Sequence, residues 1–507
     1  MVASPFSPSE SPDQTLARDT IFALSSGAGK AGVAVIRVSG PGVKECLHRM
    51  TRRRHSELPA DLPKPRRAAI RTLVHPTTGD TLDHALVIFF QGPHSYTGED
   101  VAELHTHGGV AVVRAALDAL ASLPQFRMAD KGEFSRRAFD NDKLDLTSLE
   151  GLADLLSAET EVQRKQALRQ AEGALYKLCE RWRTSMVRSL ALVEAVIDFG
   201  EDENIEEGVY AQVRDSVYQL AEELRGHLAD NRRGEIVRTG IHLAIAGPPN
   251  AGKSSFLNLL AQRQVAIVSD QAGTTRDVIE STLDIGGYPV VISDTAGIRE
   301  SGDTIEMEGV RRAKERLAQA DLRLILVDAH ALLDGGQVSC HPAATDRLTS
   351  TLQHIGIGPV PGSSSAWPVN PDLIVLNKWD LVPPSARPRL LEQLTRHHPL
   401  ARDGHVVPLS CLSQDGFTAL LDRLTGRLRA AFDTADLANP GITQIRHRQH
   451  LRGCLEALEN FLELEEADVV LAAEELRRAA HCLGQLTGRT GVEQILDALF
   501  SQFCIGK

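Results

Sequence analysis

The hydrophobic pattern changes along the chain and divides it into regions with different predicted folds. Up to residue 141, short alternating runs at 33–38 and 85–90 predict strands, and an Ala/Leu-rich stretch at 110–123 predicts a helix. Turns separate these elements, which is typical of an α+β domain. Residues 1–16 are rich in Ser and Pro, and we expect them to form a disordered tail before that domain.

Helical patterns occupy the chain on both sides of a central region. Residues 142–236 contain few Gly and Pro and many Ala, Leu, Glu and Arg, and helix returns in residues 436–507. Within the second stretch, recurring leucines predict a buried helix face, at Leu451, Leu455, Leu458 and Leu462. We therefore predict one helical domain in two parts, interrupted by an inserted α/β domain at 237–435.

The central region begins with a loop whose residue types suit phosphate binding. Residues 247–254 read Gly-Pro-Pro-Asn-Ala-Gly-Lys-Ser and match the pattern G-x-x-x-x-G-K-[ST], between a predicted strand at 241–246 and a predicted helix. In that geometry backbone N–H groups point at a phosphate, Lys253 reaches the β- and γ-phosphates, and the Ser254 hydroxyl binds Mg²⁺. The predicted nucleotide-binding residues of this loop are Asn250, Ala251, Gly252, Lys253, Ser254 and Ser255.

Further motifs at predicted strand ends indicate a Ras-like P-loop GTPase. Residues 294–297 read Asp-Thr-Ala-Gly, and residues 377–380 read Asn-Lys-Trp-Asp. A carboxylate such as Asp380 accepts two hydrogen bonds from guanine, whereas adenine would leave it unpaired. Thr275 is the predicted switch threonine and joins Ser254 as a ligand of Mg²⁺. The GTP contacts predicted from these motifs are Thr275, Asp294, Thr295, Ala296, Gly297, Asn377, Lys378, Asp380, Ser410 and Cys411.

One position departs from the pattern of many small GTPases. The residue after Gly297 is Ile298, and its apolar side chain cannot polarise the attacking water as a glutamine would. Either hydrolysis is very slow, or another group supplies the electrostatic stabilisation. Glu306 is a candidate for orienting the water, and a cation near the phosphates is a candidate for the charge that an arginine finger would supply.

Composition narrows the class of protein. With 507 residues and a net charge of −12, the chain is expected to form two to four domains and not to be a general nucleic-acid binder. No apolar run is long enough to span a membrane, and seven scattered cysteines without a C-x-x-C pair favour a reduced, cytoplasmic location. Two basic segments, at 52–67 and 446–452, are predicted to be solvated charge in preference to local RNA-binding patches.

Several segments outside the GTPase region are distinctive. They read Tyr-Thr-Gly-Glu-Asp at 96–100, Glu-Leu-His-Thr-His-Gly-Gly at 103–109, Gly-Glu-Phe-Ser-Arg-Arg-Ala-Phe at 132–139, Asn-Asp-Lys-Leu-Asp-Leu at 141–146 and Phe-Cys-Ile-Gly-Lys at 503–507. Together with the GTPase motifs between them, these segments closely resemble the tRNA-uridine-modifying GTPase family called MnmE or TrmE. The GTPase motifs alone would also fit a ribosome-assembly GTPase acting as an RNA-docking switch, which is the alternative function.

The resemblance implies a function and its cofactors. Members act with a flavin-dependent partner, MnmG or GidA, and we expect a heterotetramer with it. Together they install an aminomethyl or carboxymethylaminomethyl group at C5 of the wobble uridine of certain tRNAs. The one-carbon unit comes from a tetrahydrofolate derivative, such as 5-formyl- or 5,10-methylene-tetrahydrofolate. The resemblance also implies homodimers formed by an N-terminal folate-binding domain, here residues 1–141. It implies GTP hydrolysis that K⁺ activates, besides the Mg²⁺ expected from the motifs.

Matching positions carry the family's site residues onto this sequence. Folate contacts are implied at Arg37, Glu103, Lys143 and Lys507. A carboxylate suits the N–H donors of a pterin ring, and cations suit the carboxylates of the folate tail. Potassium ligands are implied at Asn250, Ser269, Gln271 and Thr274, and Ser269 and Thr274 are also counted as GTP contacts. The expected catalytic residues are Glu306, Asn250 and Lys253. An RNA-docking switch would not need the four folate residues, so they distinguish the two functions.

Overall fold

The described residues form two compact units. A computed structural model describes residues 19–53, 61–198, 209–263, 266–267, 281–292, 317, 319–333, 343–354, 372–401, 405–432, 441–465, 468–489, 493–501, 503 and 505–506. The first unit takes its residues from 1–153, 170–218 and 453–507, and the second from 154–169 and 219–452. The domain boundaries at 141, 236 and 435 stay predictions.

Seven strands form a mainly antiparallel sheet in the first unit. They are β1 (Thr20–Leu24), β2 (Val33–Ser39), β3 (Thr51–Arg52), β4 (Ala69–Val74), β5 (Thr81–Phe90), β6 (Val101–His107) and β7 (Phe126–Met128). Their order in the sheet is β3-β4-β5-β6-β2-β1-β7, and only the pair β1 and β7 is parallel. The strands predicted at 33–38 and 85–90 are confirmed, and the second of them begins four residues earlier, at Thr81.

Apolar and polar side chains alternate along β2 and β6, which gives this sheet one apolar face and one polar face. Ala34, Ile36 and Val38 are buried on one side of β2, and on the other side Arg37 stands directly opposite Glu103 of β6. Successive side chains of a strand point to opposite faces, so this register alone makes Arg37 and Glu103 cross-strand neighbours. The polar face of the sheet therefore carries two of the predicted site residues side by side.

Helices cover the apolar face of this sheet, and further helices occur in both units. In chain order they are α1 (Val43–Met50), α2 (Val110–Ala121), α3 (Glu133–Asp140), α4 (Leu146–Ser157), α5 (Glu161–Ala171), α6 (Ala174–Asp198), α7 (Val209–Leu228), α8 (Arg233–Thr239), α9 (Lys253–Arg263), α10 (Ala343–His354), α11 (Arg387–His397), α12 (Phe417–Phe432), α13 (Ile445–Glu463), α14 (Val469–Thr487) and α15 (Glu493–Ser501). The core of the first sheet includes Phe22, Leu47, Leu104 and Leu120, all nearly inaccessible to solvent. Each such side chain contributes about 1.5–3 kcal/mol by leaving water. No described helix is both long and apolar enough to cross a membrane.

The helix predicted from the recurring leucines is confirmed as α13, but only two of the four leucines lie on its buried face. Leu451 and Leu458 are fully buried, whereas Leu455 and Leu462 are only half-buried. Cys454 and Phe461 take the intervening buried positions. The spacing from 451 through 454 and 458 to 461 still follows the helical repeat, because a small cysteine and a phenylalanine fill the face as well as leucines do.

The end of the chain packs onto the motif at 132–139. Leu496, Leu499 and Phe500 of α15 join Leu146 and Leu149 of α4 in one apolar cluster. Gly132 has φ +69°, and a Cβ there would lie 2.8 Å from the Cβ of Phe500. Only glycine permits this approach without displacing the helix. The chain's last residues are thereby brought beside the N-terminal sheet.

The second unit contains a doubly wound sheet whose central strands are apolar. Its strands are β8 (Ile241–Ala246), β9 (Ala266–Ile267), β10 (Ser281–Ile285), β11 (Tyr288–Ile292), β12 (Leu322–Asp328), β13 (Leu373–Asn377) and β14 (Val406–Pro408). They lie in the order β14-β13-β12-β8-β11-β10-β9, with β14 through β11 parallel. Near-continuous apolar strands are expected where both faces of a parallel sheet are covered. The carboxyl ends of β8, β12, β13 and β14 share one edge, where ligands of such sheets bind.

Candidate functional site

The phosphate-loop sequence forms a tight turn between β8 and α9. A Cβ on Gly247 would lie 2.2 Å from the Leu326 carbonyl oxygen, and one on Gly252 would lie 2.2 Å from Asn377 Nδ2. Gly252 also has φ +95°, so both steric room and backbone angle require glycine there. Asn250 has φ +61°, a left-handed conformation that asparagine tolerates better than most residues. The helix begins at Lys253, which leaves its first N–H groups facing this turn.

The Lys253 ammonium lies inside the turn and has only backbone partners among the described residues. Its Nζ donates hydrogen bonds to the Gly247 and Pro248 carbonyl oxygens, each at 2.9 Å. Burial lowers the pKa of Lys253 from its ordinary range, because no carboxylate among the described residues offsets the loss of water. A phosphate in the turn would supply the missing negative charge. The loop therefore has the electrostatic character of an anion site.

Asn377 forms hydrogen bonds to three loops at the edge of the sheet. Its Nδ2 donates to the Ala251 carbonyl oxygen at 2.8 Å, and its Oδ1 accepts the Cys411 backbone N–H at 3.2 Å. Its own carbonyl oxygen accepts the Ala329 N–H at 2.8 Å. Asn377 is 2% exposed, so both ends of its amide are satisfied in a dry environment. The asparagine of the Asn-Lys-Trp-Asp motif thus holds the phosphate loop in register with the predicted guanine loops.

Lys378 is held by an acidic residue that the sequence prediction did not include. Its Nζ lies 2.7 Å from Asp328 Oδ2, at the carboxyl end of β12. The other oxygen of Asp328 accepts the His330 N–H at 2.9 Å, which fixes the carboxylate. No motif in the sequence marks Asp328, which is the last residue of β12. Its position at the shared sheet edge is the signal that could have identified it.

The other residues of the two loops predicted to contact guanine differ in their exposure to solvent. Trp379 is buried beneath the Arg387 guanidinium, 5.8 Å from the ring centroid. Asp380, next to it, is exposed, so its carboxylate faces solvent in this structure and is not yet the buried acceptor that discriminates guanine. Ser410 is buried, and its hydroxyl oxygen accepts the Ser413 N–H at 3.1 Å, which stabilises the turn. Burial raises the pKa of the Cys411 thiol to about 11, so that thiol is inert at neutral pH.

Part of the predicted GTPase site lies outside the described residues. Ser254 and Ser255 are exposed at the start of α9, as a ligand-facing position requires. The predicted residues that fall outside are Ser269, Gln271, Thr274, Thr275, Asp294, Thr295, Ala296, Gly297 and Glu306, together with Ile298. Their roles stay predictions.

The first unit brings two of the four predicted folate residues into direct contact. Arg37 Nη2 lies 3.0 Å from Glu103 Oε1, and Arg37 Nε donates to the same oxygen at 3.3 Å. The Arg37 guanidinium also lies over two aromatic rings, 5.2 Å from the centroid of Tyr96 and 5.8 Å from that of Phe134. Cation–π contacts and the ion pair fix the plane of the guanidinium. Glu103 keeps a second oxygen, which lies 3.3 Å from His105 Nε2.

The last residues of the chain reach this pair. Gly506 accepts a hydrogen bond from Ser25 Oγ at 2.8 Å, and its carbonyl oxygen lies 3.5 Å from Arg37 Nη1. Gly506 has φ +102°, and a Cβ there would lie 2.2 Å from the Leu24 carbonyl oxygen, so glycine is required. Ile505 pairs with Lys131 as an isolated β-bridge. Lys507 and Cys504 lie outside the described residues, but Gly506 brings the chain end next to Arg37.

Lys143 lies on a neighbouring cavity of about 620 Å³ and not on the Arg37–Glu103 pair itself. Tyr96 is common to both, because its ring contacts Arg37 and also lines the cavity. The cavity walls also include Arg66, Phe90, Pro93 and His94. We call this space the Lys143 cavity. Tyr96 and Phe134 were parts of distinctive segments but were not predicted as site residues.

A charged network ties the distinctive segments together beneath this site. Arg137 Nη1 donates to Glu99 Oε2 at 3.1 Å, and Ser39 Oγ donates to the same oxygen at 2.7 Å. Arg137 also pairs with Glu133, which accepts two further hydrogen bonds from Arg127 at 2.6 and 2.8 Å. Burial opposes ionisation of Glu133, but these arginines outweigh it and hold the pKa of Glu133 below its ordinary value. The network fixes the segments at 96–100 and 132–139 against each other.

One prediction about charge can be tested in the described residues. Arg448, expected as solvated charge, is 5% exposed, so that prediction is wrong for this residue. Its guanidinium contacts Asp230 at 2.6 Å and also pairs with Glu235, so it joins α13 to the start of α8. In the part of the chain that the structure describes, no group of three or more His, Cys, Asp and Glu could hold a metal ion. His105 contacts Glu103, and His107 contacts Asp83.

Comparisons with known proteins cover nearly the whole chain. The family model described as MnmE helical domain matches residues 146–504, and the one described as GTP-binding protein TrmE N-terminus matches residues 20–143. The human 5-taurinomethyluridine-[tRNA] synthase subunit GTPB3, mitochondrial, is 47% identical over 96% of this chain and 93% of its own. The tRNA modification GTPase MnmE of Parvibaculum lavamentivorans is 46% identical over 96% of this chain and 100% of its own.

Solved structures resemble this chain only weakly. A GTP-binding protein from Sulfolobus solfataricus in complex with GDP matches with 14% identity and a TM-score of 0.25, over 62% of this chain and 85% of its own. That likeness is too low to bear on the site.

Proposed function

The chain belongs to the MnmE/TrmE family of tRNA modification GTPases, and from this membership we propose that it hydrolyses GTP in the modification of the wobble uridine of tRNA. The observation that carries the GTPase part is the position of Asn377. Its side chain joins the phosphate loop at Ala251 to the guanine loop at Cys411. A loop for phosphates and a loop for guanine must be held at a fixed separation to select GTP, and this amide holds both.

Residues of the phosphate loop fit the expected chemistry of GTP hydrolysis. Lys253 has a pKa lowered by burial and can exchange its two carbonyl partners for phosphate oxygens. Ser254 is exposed at the N-terminus of α9, where a hydroxyl can bind Mg²⁺. Asn250 presents its amide from a left-handed turn residue, and an amide oxygen is a suitable ligand for K⁺. When bound, K⁺ would supply the positive charge that an arginine finger supplies elsewhere, and Glu306 would orient the attacking water.

The polar face of the first sheet fits a folate. Glu103 offers carboxylate oxygens to the N–H donors of a pterin ring, and Arg37 holds that carboxylate in place. Gly506 brings the chain end to the same place, which supports a contact from Lys507. When bound, the folate would supply the one-carbon unit. We further propose that the protein forms homodimers through residues 1–141 and joins a flavin-dependent partner in a heterotetramer. We also propose a cytoplasmic location.

The chemical outcome is measured by nucleoside analysis of tRNA. In cells that lack this protein, we expect the C5-modified wobble uridine to disappear and to return with the wild-type gene but not with Lys253→Ala. The identity of the lost nucleoside distinguishes carboxymethylaminomethyl and aminomethyl products from the taurinomethyl product in the name of the human relative. Unchanged tRNA nucleosides together with accumulated ribosome precursors would instead favour the ribosome-assembly alternative.

The cation assignment has its own test. GTP turnover should rise when K⁺ replaces Na⁺ at constant ionic strength, and Asn250→Ala should lose this response while still binding GTP. Glu306→Ala should lower hydrolysis and leave GTP affinity nearly unchanged. Equal turnover of the wild type in the two salts would reject K⁺ as an activator.

A further inference from the structure

The Lys143 cavity has walls suited to a ligand that is both apolar and anionic. Phe90, Pro93 and Tyr96 supply apolar and aromatic surface, and Arg66 and Lys143 supply two positive charges. None of the described residues that line the cavity is a carboxylate. Its volume of about 620 Å³ falls within the range of roughly 300–1,000 Å³ that is usual for small-molecule sites.

Both cations of this cavity lack an acidic partner within the described parts of the chain. Arg66 Nη2 donates to the His94 carbonyl oxygen at 2.8 Å, which holds its guanidinium at the cavity wall. Neither Arg66 nor Lys143 lies within ion-pair distance of a described Asp or Glu. Other described arginines of the first unit do have such partners, for example Arg37 with Glu103 and Arg137 with Glu99. Two uncompensated cations at one cavity favour an anionic ligand.

Tyr96 connects this cavity to the Arg37–Glu103 pair. One ring contacts the Arg37 guanidinium at 5.2 Å and also forms part of the cavity wall. Tyr96 OH is bonded to Ser135 Oγ at 2.8 Å, so the ring is fixed between the two places. A ligand with a hydrogen-bonding ring at one end and carboxylates at the other could therefore place its ring near Glu103 and its carboxylates in the cavity.

We propose that the Lys143 cavity binds the glutamate tail of a folate, and that Arg66 selects folates that carry additional γ-linked glutamates. This inference rests on the proposed folate function of the first unit. Each added glutamate contributes one more carboxylate, and Arg66 is the cation available beyond Lys143. Arg66 is exposed and on a loop, so the contact strengthens binding of the longer chain without being needed for the pterin end.

Binding of full-length protein to two forms of 5-formyltetrahydrofolate tests this proposal. The monoglutamate and the γ-linked triglutamate are titrated separately by calorimetry at low and at high salt. We expect the triglutamate to bind about fivefold more tightly at low salt, an effect of the size of one or two exposed ion pairs. The difference should shrink as salt screens the charges.

Two matched variants test whether Arg66 causes the preference for the triglutamate. Arg66 has φ +59°, and asparagine tolerates that backbone well, so Arg66→Asn removes the charge with little strain. Arg67 is exposed and does not line the cavity, so Arg67→Asn is the control. Arg66→Asn should remove the preference for the triglutamate, and Arg67→Asn should keep that preference.

Each result points to a different conclusion. If wild-type protein binds both forms equally, the tail inference is overturned and the folate function stands. If neither form binds to folded protein, the folate function itself fails. A preference that survives Arg66→Asn, or that Arg67→Asn removes equally, would reject Arg66 as the selecting residue.

Discussion

The two candidate sites of this protein are built in opposite ways. In the second unit, Ala251, Asn377 and Cys411 meet because each lies at or beyond the carboxyl end of a parallel strand. In the first unit, Arg37 and Glu103 meet across an antiparallel register, and Gly506 comes from 469 residues further along the chain than Arg37. Parallel topology brings strand ends together whatever the side chains are, whereas a site on a sheet face depends on register and on long-range packing.

The electrostatic states of the two sites differ as well. Among the described residues Lys253 has only carbonyl partners, and burial lowers its pKa, so a bound anion would compensate its charge. Arg37 is already paired with Glu103 and lies over two aromatic rings. Substitutions at Lys253 should therefore affect ligand chemistry and not folding. Substitutions at Glu103 should affect both, because they leave Arg37 without its partner.

Removing the phosphate-loop cation should have the largest effect. We expect Lys253→Ala to lower the GTP hydrolysis rate by about a thousandfold, because this charge stabilises the transferring phosphoryl group. Folate binding and the melting temperature should stay at wild-type values. Lys30→Ala, at an exposed lysine of the first unit, is the matched control. A loss of folate binding in Lys253→Ala would contradict the expectation that the two sites bind their ligands independently.

Removing the carboxylate of the first site should have the next largest effect. Glu103→Ala should weaken folate binding by about thirtyfold and lower the free energy of unfolding by about 2 kcal/mol, because Arg37 loses its half-buried partner. Calorimetry and urea unfolding measure the two quantities. GTP hydrolysis without tRNA should be unchanged. Wild-type stability of Glu103→Ala would mean that the Arg37–Glu103 pair does not support the fold.

Asp328 tests whether the structure has found a residue that motifs miss. Asp328→Asn should weaken GTP and GDP binding by about tenfold, because Lys378 is no longer held by a charged partner. Asp346→Asn, at an exposed position of α10, should bind nucleotides normally. If both variants bind as the wild type does, Asp328 has no role in positioning Lys378.

The smallest effect is a pH dependence of stability. The pKa of Glu133 is held below its ordinary value of 4.5, so its stabilising contribution is complete above that pH. The contribution is lost as pH falls through the pKa of the folded state. Melting temperatures from pH 7 to pH 3 should therefore fall more steeply in the wild type than in Glu133→Gln. Parallel curves would show that Arg127 and Arg137 do not stabilise the ionised form.

Local pattern was enough to predict several of the elements but not the way charged side chains pair. The strand at 241–246 was predicted to the residue, because an alternating apolar run that ends at a glycine turn has few other structures available. Arg448 shows the opposite case. Its neighbours in sequence are charged and polar, and only the packing of α13 onto α8 places it beside Glu235.

By itself the sequence determined the phosphate-loop and guanine motifs and the strand pattern around them. These depend on spacing within a few residues, which the chain carries locally. Tertiary structure alone decided that Asp328 holds Lys378, that Tyr96 links Arg37 to the Lys143 cavity, and that Gly506 lies against Arg37. Such contacts join residues far apart in the chain, and they exist only once packing has fixed both partners.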